Sequence, residues 1–232
     1  MDDREIKIPP RAGKVKCAAG TMDQPGRNHP GLGAWLYENI CRPANQEGYI
    51  VDPMCGAGFL WSTMKNGPSV IGCDIDVSRV RLARDNGLLA VQARAEDWDP
   101  GDRHACMVAF SPIYPNCGHD SGNVTSDIVE RKKLGASQKI EGTTGLLRVF
   151  LQIATYCYRA PVCVIVRNWI EAGEEFDWVS EVEQSMHFTG FEVERFWRRL
   201  LPGPFTQMKL RSGKQTKWVD REFVLVGRRR ND

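Results

Sequence analysis

The sequence predicts an α/β fold: a mainly parallel, seven-stranded sheet with helices on both faces and an antiparallel strand at one edge. Three observations carry this. Short apolar runs of strand length alternate with helical stretches, which implies a parallel sheet covered on both sides. Two early runs end in a carboxylate, at Asp52 and Asp74. The length, 232 residues with 42% hydrophobic, suits one α/β domain with a full core.

In chain order, residues 1–28 read as a loosely structured arm, because Pro9-Pro10, Gly13, Gly20 and Pro25-Gly26 break any period. A single domain then runs over 29–232. The run from Gly31 to Cys41 spaces its apolar residues as a short amphipathic helix. Gly48 to Asp52 is a first strand, followed by a glycine turn at Cys55-Gly-Ala-Gly58 and a helix through Phe59 to Met64. Ser69 to Asp74 is a second strand, and a helix follows from about Val77 to Asn86. Leu88 to Ala93 and Ala105 to Phe110 are the third and fourth strands. After Ser111-Pro-Ile-Tyr-Pro-Asn116 comes a polar stretch of about 27 residues, to roughly Thr143. A connection that long inside a compact domain is usually functional or mobile. Gly145 to Tyr158 is a helix, Val162 to Arg167 a fifth strand, Phe176 to Phe188 a helix and Phe191 to Trp197 a sixth strand. Arg221 to Gly227 is the last strand. No helical segment separates the last two, so they are expected to pair antiparallel at an edge.

Composition excludes several classes. Gly, Pro and charge fractions are ordinary for a globular chain. No apolar run approaches the roughly 18 residues of a membrane span, and the charged, Pro-containing start does not fit a secretory signal; a cytoplasmic protein is expected. The eight cysteines are scattered with no C-x-x-C pair, which argues against zinc and for small buried hydrophobes in a reducing compartment. Net charge is only +2, but from Arg195 onward eleven Lys/Arg stand against three Asp/Glu. A basic end on an acidic body suits contact with a polyanion; a solvated basic end without a partner fits the charge equally well.

The first strand-to-helix turn is the usual ligand site of a doubly wound sheet. Here it reads Asp52-Pro53-Met54-Cys55-Gly56-Ala57-Gly58. Gly56 and Gly58 allow a tight turn and close approach of a ligand. The third glycine of a dinucleotide fingerprint is missing, since position 61 is Trp, and no Gly-Lys-Ser/Thr occurs. An acid just before the turn suits the ammonium of an amino-acid moiety, held directly or through water. Turn amides and a helix N-terminus suit its carboxylate. Asp74 can accept both hydroxyls of a ribose, with Asp76 a rival. Glu96 or Asp97 can accept a hydrogen bond from an adenine amine.

The fourth strand runs into Ser111-Pro112-Ile113-Tyr114. An exocyclic base amine is a poor nucleophile because its lone pair is delocalised into the ring. Two acceptors holding both amine hydrogens draw the nitrogen toward tetrahedral geometry. The Ser111 hydroxyl and the Pro112 carbonyl suit that task, and Tyr114 can stack on the base. Methylation at a ring carbon wants a cysteine nucleophile, typically in a Pro-Cys pair, and none occurs.

With these motifs the chain resembles the class I S-adenosylmethionine-dependent methyltransferases, a Rossmann-like fold. More narrowly, it resembles small phage-type DNA amino-methyltransferases acting on adenine N6 or cytosine N4. The resemblance spans about His29 to Arg228. His29-Pro-Gly31 looks like the family's entry segment, which implies His29 near the cofactor. The Asp52–Gly58 turn resembles its cofactor loop, and Gly72-Cys-Asp74-Ile75-Asp76 its ribose strand. Ser111 to Tyr114 is similar to an S-P-P-Y catalytic loop, with Ile113 in place of the second proline. Arg94 stands where an acid is expected, which moves the adenine contact to Glu96 or Asp97.

The resemblance implies a site-specific DNA methyltransferase of the restriction-modification kind that uses S-adenosyl-L-methionine and no metal. DNA is the expected partner, RNA the other nucleic acid, and monomer and homodimer stay open. Residues 115–143 and 198–221 would choose the target. An RNA or protein amide methyltransferase on the same fold is the alternative, and a non-catalytic nucleic-acid-binding module a third reading.

Overall fold

The computed structural model describes residues 4–8, 30–44, 47–64, 67–101, 104–112, 135–157, 159–171, 174–200 and 219–229. Its centre is one mixed sheet of eight strands, in the spatial order Arg4–Glu5, Phe191–Arg199, Arg221–Arg229, Val162–Val166, Ala105–Phe110, Tyr49–Asp52, Val70–Asp74 and Leu89–Gln92. The strands are β1 (Arg4–Glu5), β2 (Tyr49–Asp52), β3 (Val70–Asp74), β4 (Leu89–Gln92), β5 (Ala105–Phe110), β6 (Val162–Val166), β9 (Phe191–Arg199) and β10 (Arg221–Arg229). Neighbours from β4 through β6 are parallel. Only β10 runs against its neighbours, pairing antiparallel with both β6 and β9.

Helices α1 (Pro30–Leu36, continued by a π-helical turn Tyr37–Cys41) and α2 (Val77–Asp85) cover one face. Helices α3 (Gly135–Tyr156) and α4 (Trp178–Phe188) cover the other. Strict alternation sorts the strand residues between them: Val51, Ile71, Val108 and Phe110 meet α3 and α4, while Ile50, Val70 and Ala109 meet α1 and α2. At the start of β5 a bulge breaks the period. Tyr49 lies opposite Ala105 and Ile50 opposite Met107, so Cys106 and Met107 both face the α1 side. Phe110 packs against Phe150 of α3, ring centroids 5.9 Å apart.

Several expectations are corrected. The sheet has eight strands, because the start of the arm is ordered: Arg4 and Glu5 pair in parallel with Phe196 and Trp197. The Ile6 amide donates to the Trp197 carbonyl at 2.6 Å, and the Ile6 side chain is buried with Leu32 and Leu36. Two residues are too few to show a period. The last strand is not at an edge; β1 and β4 are the edges. The run from Phe59 shrinks to a 3-10 turn, Phe59–Trp61. Helix α3 starts at Gly135, so the end of the polar stretch is helical rather than loop. A hairpin the pattern does not announce, β7 (Trp169–Glu171) with β8 (Glu174–Phe176), stands between β6 and α4.

The six described cysteines are free and buried, as their apolar neighbours suggest. Among the described residues no helix is long and apolar enough to cross a membrane.

Candidate functional site

The chain builds β2, β3 and β4 outward in one direction, then returns β5 to the other side of β2. The switch point therefore lies between β2 and β5, and both strands deliver a candidate residue at their carboxyl ends: Asp52 from β2, Ser111 just past β5. Val51 is in register with Val108, so these ends are one strand spacing apart, about 4.8 Å laterally. Asp74 ends β3, on the other side of β2.

The turn between β2 and the 3-10 segment is fixed by side chains. Asp52 is 2% exposed, and both of its oxygens are engaged. Oδ1 accepts from the Met54 amide at 3.1 Å, and Oδ2 accepts from the Trp61 indole at 2.8 Å. Burial pushes its carboxyl up to about 7. The two donors pull it back in part, and the nearby Asp74 carboxylate adds to the rise. Asp74 Oδ2 accepts from the Gly56 amide at 3.1 Å, and Oδ1 from the Asp76 amide at 2.9 Å. The two strand-end carboxylates thus hold the turn from both sides. Asn86, just past α2, donates to the Ala57 carbonyl at 2.7 Å and closes the third side. The Pro53 ring is buried, and its carbonyl accepts from the Cys73 thiol at 3.0 Å.

The two glycines have different reasons. Gly56 has φ +52°, and an added Cβ would meet nothing within 4 Å, so this part of the turn faces open space. Gly58 has φ +74°, and a Cβ there would meet Leu88 at 2.8 Å. One leaves room for a ligand and the other lets the turn sit down on α2.

Asp76, the rival of Asp74, is the cap of α2. Its carboxylate accepts from the Ser78 amide at 2.8 Å and the Ser78 hydroxyl at 2.6 Å. Ile75, between them, is 55% exposed beside the turn. Beyond β4, Arg94 pairs with Glu96 and approaches Asp97 at 3.8 Å. Glu96 is thereby held by its neighbour, and Asp97 points into solvent with its side chain 74% exposed. Cys55 is buried, and its thiol donates weakly to the Gly56 carbonyl. Ser111 is half-buried and Pro112 buried. His29, Ile113 and Tyr114 lie outside the described residues, as does most of 115–143 and 198–221.

Trp61 and Asn86 are the turn residues that sequence reasoning missed. Trp61 entered only as a missing glycine. The available signal was the chemistry of Asp52: a carboxylate ending a fully apolar strand must find buried donors.

No family model and no curated protein matches the chain. Solved structures do match, at low identity. An S-adenosylmethionine-dependent methyltransferase from Clostridium acetobutylicum superposes with a TM-score of 0.53 at 10% identity, over 88% of this chain and 94% of that one. TrmN from Thermus thermophilus gives 0.53 at 13% identity, over 87% of this chain and 49% of that one. Magnesium protoporphyrin IX methyltransferase from Synechocystis, with bound SAH, gives 0.51 at 12% identity, over 85% and 80%. Likeness of this kind shows the fold: an α/β, Rossmann-like methyltransferase fold with a mostly parallel sheet and an antiparallel pair near one edge.

Proposed function

We propose that the chain is an S-adenosyl-L-methionine-dependent methyltransferase that acts on an exocyclic amine of a DNA base, cytosine N4 or adenine N6. The observation that carries this is the switch point. A glycine turn braced by Asp52 and Asp74 sits one strand from Ser111-Pro112, so a donor site and an acceptor site adjoin.

The turn fits the cofactor. Gly56 opens onto free space. The Asp74 oxygens each accept one backbone hydrogen bond and keep a further lone pair for a ribose hydroxyl. Exposed Ile75 offers an apolar surface to the adenine ring, and Glu96 or Asp97 an acceptor for its amine. Asp52, 2% exposed and with each oxygen already accepting one hydrogen bond from the turn, acts by fixing the Met54 amide and the turn around it. When bound, the cofactor supplies a methyl group activated by a sulfonium.

On the acceptor side, the Ser111 hydroxyl and Pro112 carbonyl hold the two amine hydrogens, so the nitrogen lone pair is freed from the ring and aimed at the turn. Proline limits where its carbonyl points. Transfer would form the nitrogen–methyl bond as the methyl–sulfur bond breaks, leaving the neutral thioether, and the nitrogen would shed one proton through those acceptors to water. Holding both partners in line supplies much of the rate, and a base in a duplex must first leave the stack.

The test is a methylation assay with purified protein, DNA and S-adenosylmethionine, followed by digestion and mass spectrometry. N4-methylcytosine or N6-methyladenine is expected. Absence of both from every DNA tried, with label entering RNA or a protein glutamine instead, removes the DNA reading. Absence of binding to S-adenosylmethionine or its demethylated product removes the methyltransferase reading altogether.

A further inference from the structure

The carboxyl edge of the sheet continues past Ser111. Because β10 is antiparallel to both neighbours, β9 runs parallel to β6 and ends on the same side as β2, β3 and β5. The end of β9 and the start of β10 therefore share the rim on which the candidate site lies. Arg221 stands two strand spacings from β5 and Arg199 three, about 10 and 14 Å laterally.

The pairing at that rim is electrostatically unusual. Arg199 and Arg221 are directly opposite each other in the ladder, and both are exposed. Like charges directly opposite across a strand pair are destabilising. Elsewhere the same ladder sets several of its arginines against carboxylates. Arg198 lies opposite Glu222 and bonds it at 2.6 Å, Arg228 lies opposite Glu192, and Arg195 pairs with Glu183 of α4. No described carboxylate pairs with Arg199 or Arg221, and the sequence 201–218 between them contains no Asp or Glu. Arg221 instead lies over the ring of half-buried Trp197, 4.7 Å from its centroid. The rim thus carries two guanidiniums and an aromatic face on one side of the sheet, with no described carboxylate set against them.

We propose that Arg199, Arg221 and Trp197 form the docking surface for the phosphate backbone of single-stranded DNA whose target base is held at Ser111-Pro112. Charge complementarity selects a polyanion, and the arginine-on-tryptophan stack suits an unpaired strand with open base faces. The lateral separation from β5 alone corresponds to roughly three to four stacked nucleotides at 3.4 Å each. Bound phosphates remove the repulsion between the two guanidiniums. The proposal rests on the reading of the site as a DNA amine methyltransferase and adds the strand that the site takes.

The experiment is fluorescence anisotropy with a fluorescein-labelled, mixed-sequence 20-nucleotide DNA strand between 50 and 200 mM salt, with S-adenosylhomocysteine calorimetry on the same preparations. Arg199→Gln/Arg221→Gln is expected to weaken DNA binding about tenfold or more at 50 mM salt. It should flatten the log–log salt slope by about 1.4, two contacts at about 0.7 each. Arg199→Lys/Arg221→Lys should restore most of that slope, and neither pair should change S-adenosylhomocysteine affinity. An unchanged affinity and slope in the Gln pair overturns the proposal. So does no binding of the strand by the wild-type protein, or tighter binding of the duplex or of an RNA strand of the same sequence. Loss of S-adenosylhomocysteine binding by the wild-type protein would sink the methyltransferase reading instead, and the anisotropy series would still judge the rim.

Discussion

The indole nitrogen of Trp61 donates to Asp52 Oδ2 at 2.8 Å, and the carboxylate it reaches is 2% exposed. The bond spans the glycine turn from its first residue to the end of the 3-10 segment. It gives the turn a brace that needs no third glycine.

Trp61→Phe keeps an aromatic ring in the core but removes that donor together with the volume of the fused second ring, so a cavity cost adds to the lost hydrogen bond. A buried acceptor left without a partner costs about 1–3 kcal/mol. For a chain of this length that lowers the melting temperature by roughly 2–12 °C, at about 2–4 °C per kcal/mol. Calorimetric melting at pH 7 measures it, and an unchanged melting temperature would show that the bond carries no stability.

Stability should depend on pH through Asp52. Its carboxyl ordinarily titrates near 3.8 and is raised to about 7 here, chiefly by burial. The folded protein therefore holds this proton more tightly than the unfolded chain. The stabilisation is complete below the ordinary value, declines as pH rises through the window from about 4 to 7, and is gone above it. Melting compared at pH 5 and pH 8 should show wild type losing stability relative to Asp52→Asn, which has no proton to lose. Parallel behaviour of the two proteins would assign the titration to another group.

The two turn glycines should separate on substitution. Gly58→Ala places a Cβ 2.8 Å from Leu88 at φ +74°, so it should lose stability by more than the roughly 1–2 kcal/mol of left-handed strain. Gly56→Ala meets no neighbour and should pay the strain alone, while its methyl occupies the open space and weakens S-adenosylhomocysteine binding. Urea unfolding and calorimetry distinguish them; equal stability losses would contradict the assignment.

Asp74→Ala should weaken cofactor binding tenfold or more, since it removes an acceptor and frees the Gly56 amide. Ser111→Ala should leave that affinity intact and slow transfer by 10²-fold or more, the order typical of a lost transition-state hydrogen bond. Binding calorimetry with single-turnover assays checks both. An Asp74→Ala protein of unchanged affinity would remove Asp74 from the cofactor site.

The sequence by itself determined the alternation of elements, the two carboxylates at strand ends and the glycine turn, because each is a local pattern of a few residues. It also placed the serine-proline exit of β5. It could not determine how those pieces are held. Whether Asp76 or Asp74 faces the turn was decided by a cap: Ser78 claims Asp76, and the Gly56 amide falls to Asp74. The Trp61 brace, the Asn86 clamp on Ala57 and the pairing of Arg4–Glu5 with β9 join residues whose closeness has no local signature. The interior position of β10, which sets Arg221 opposite Arg199, follows from which strand edge remained unpaired once β6 was in place. Such contacts depend on the closure of the whole sheet, and only the tertiary structure could settle them.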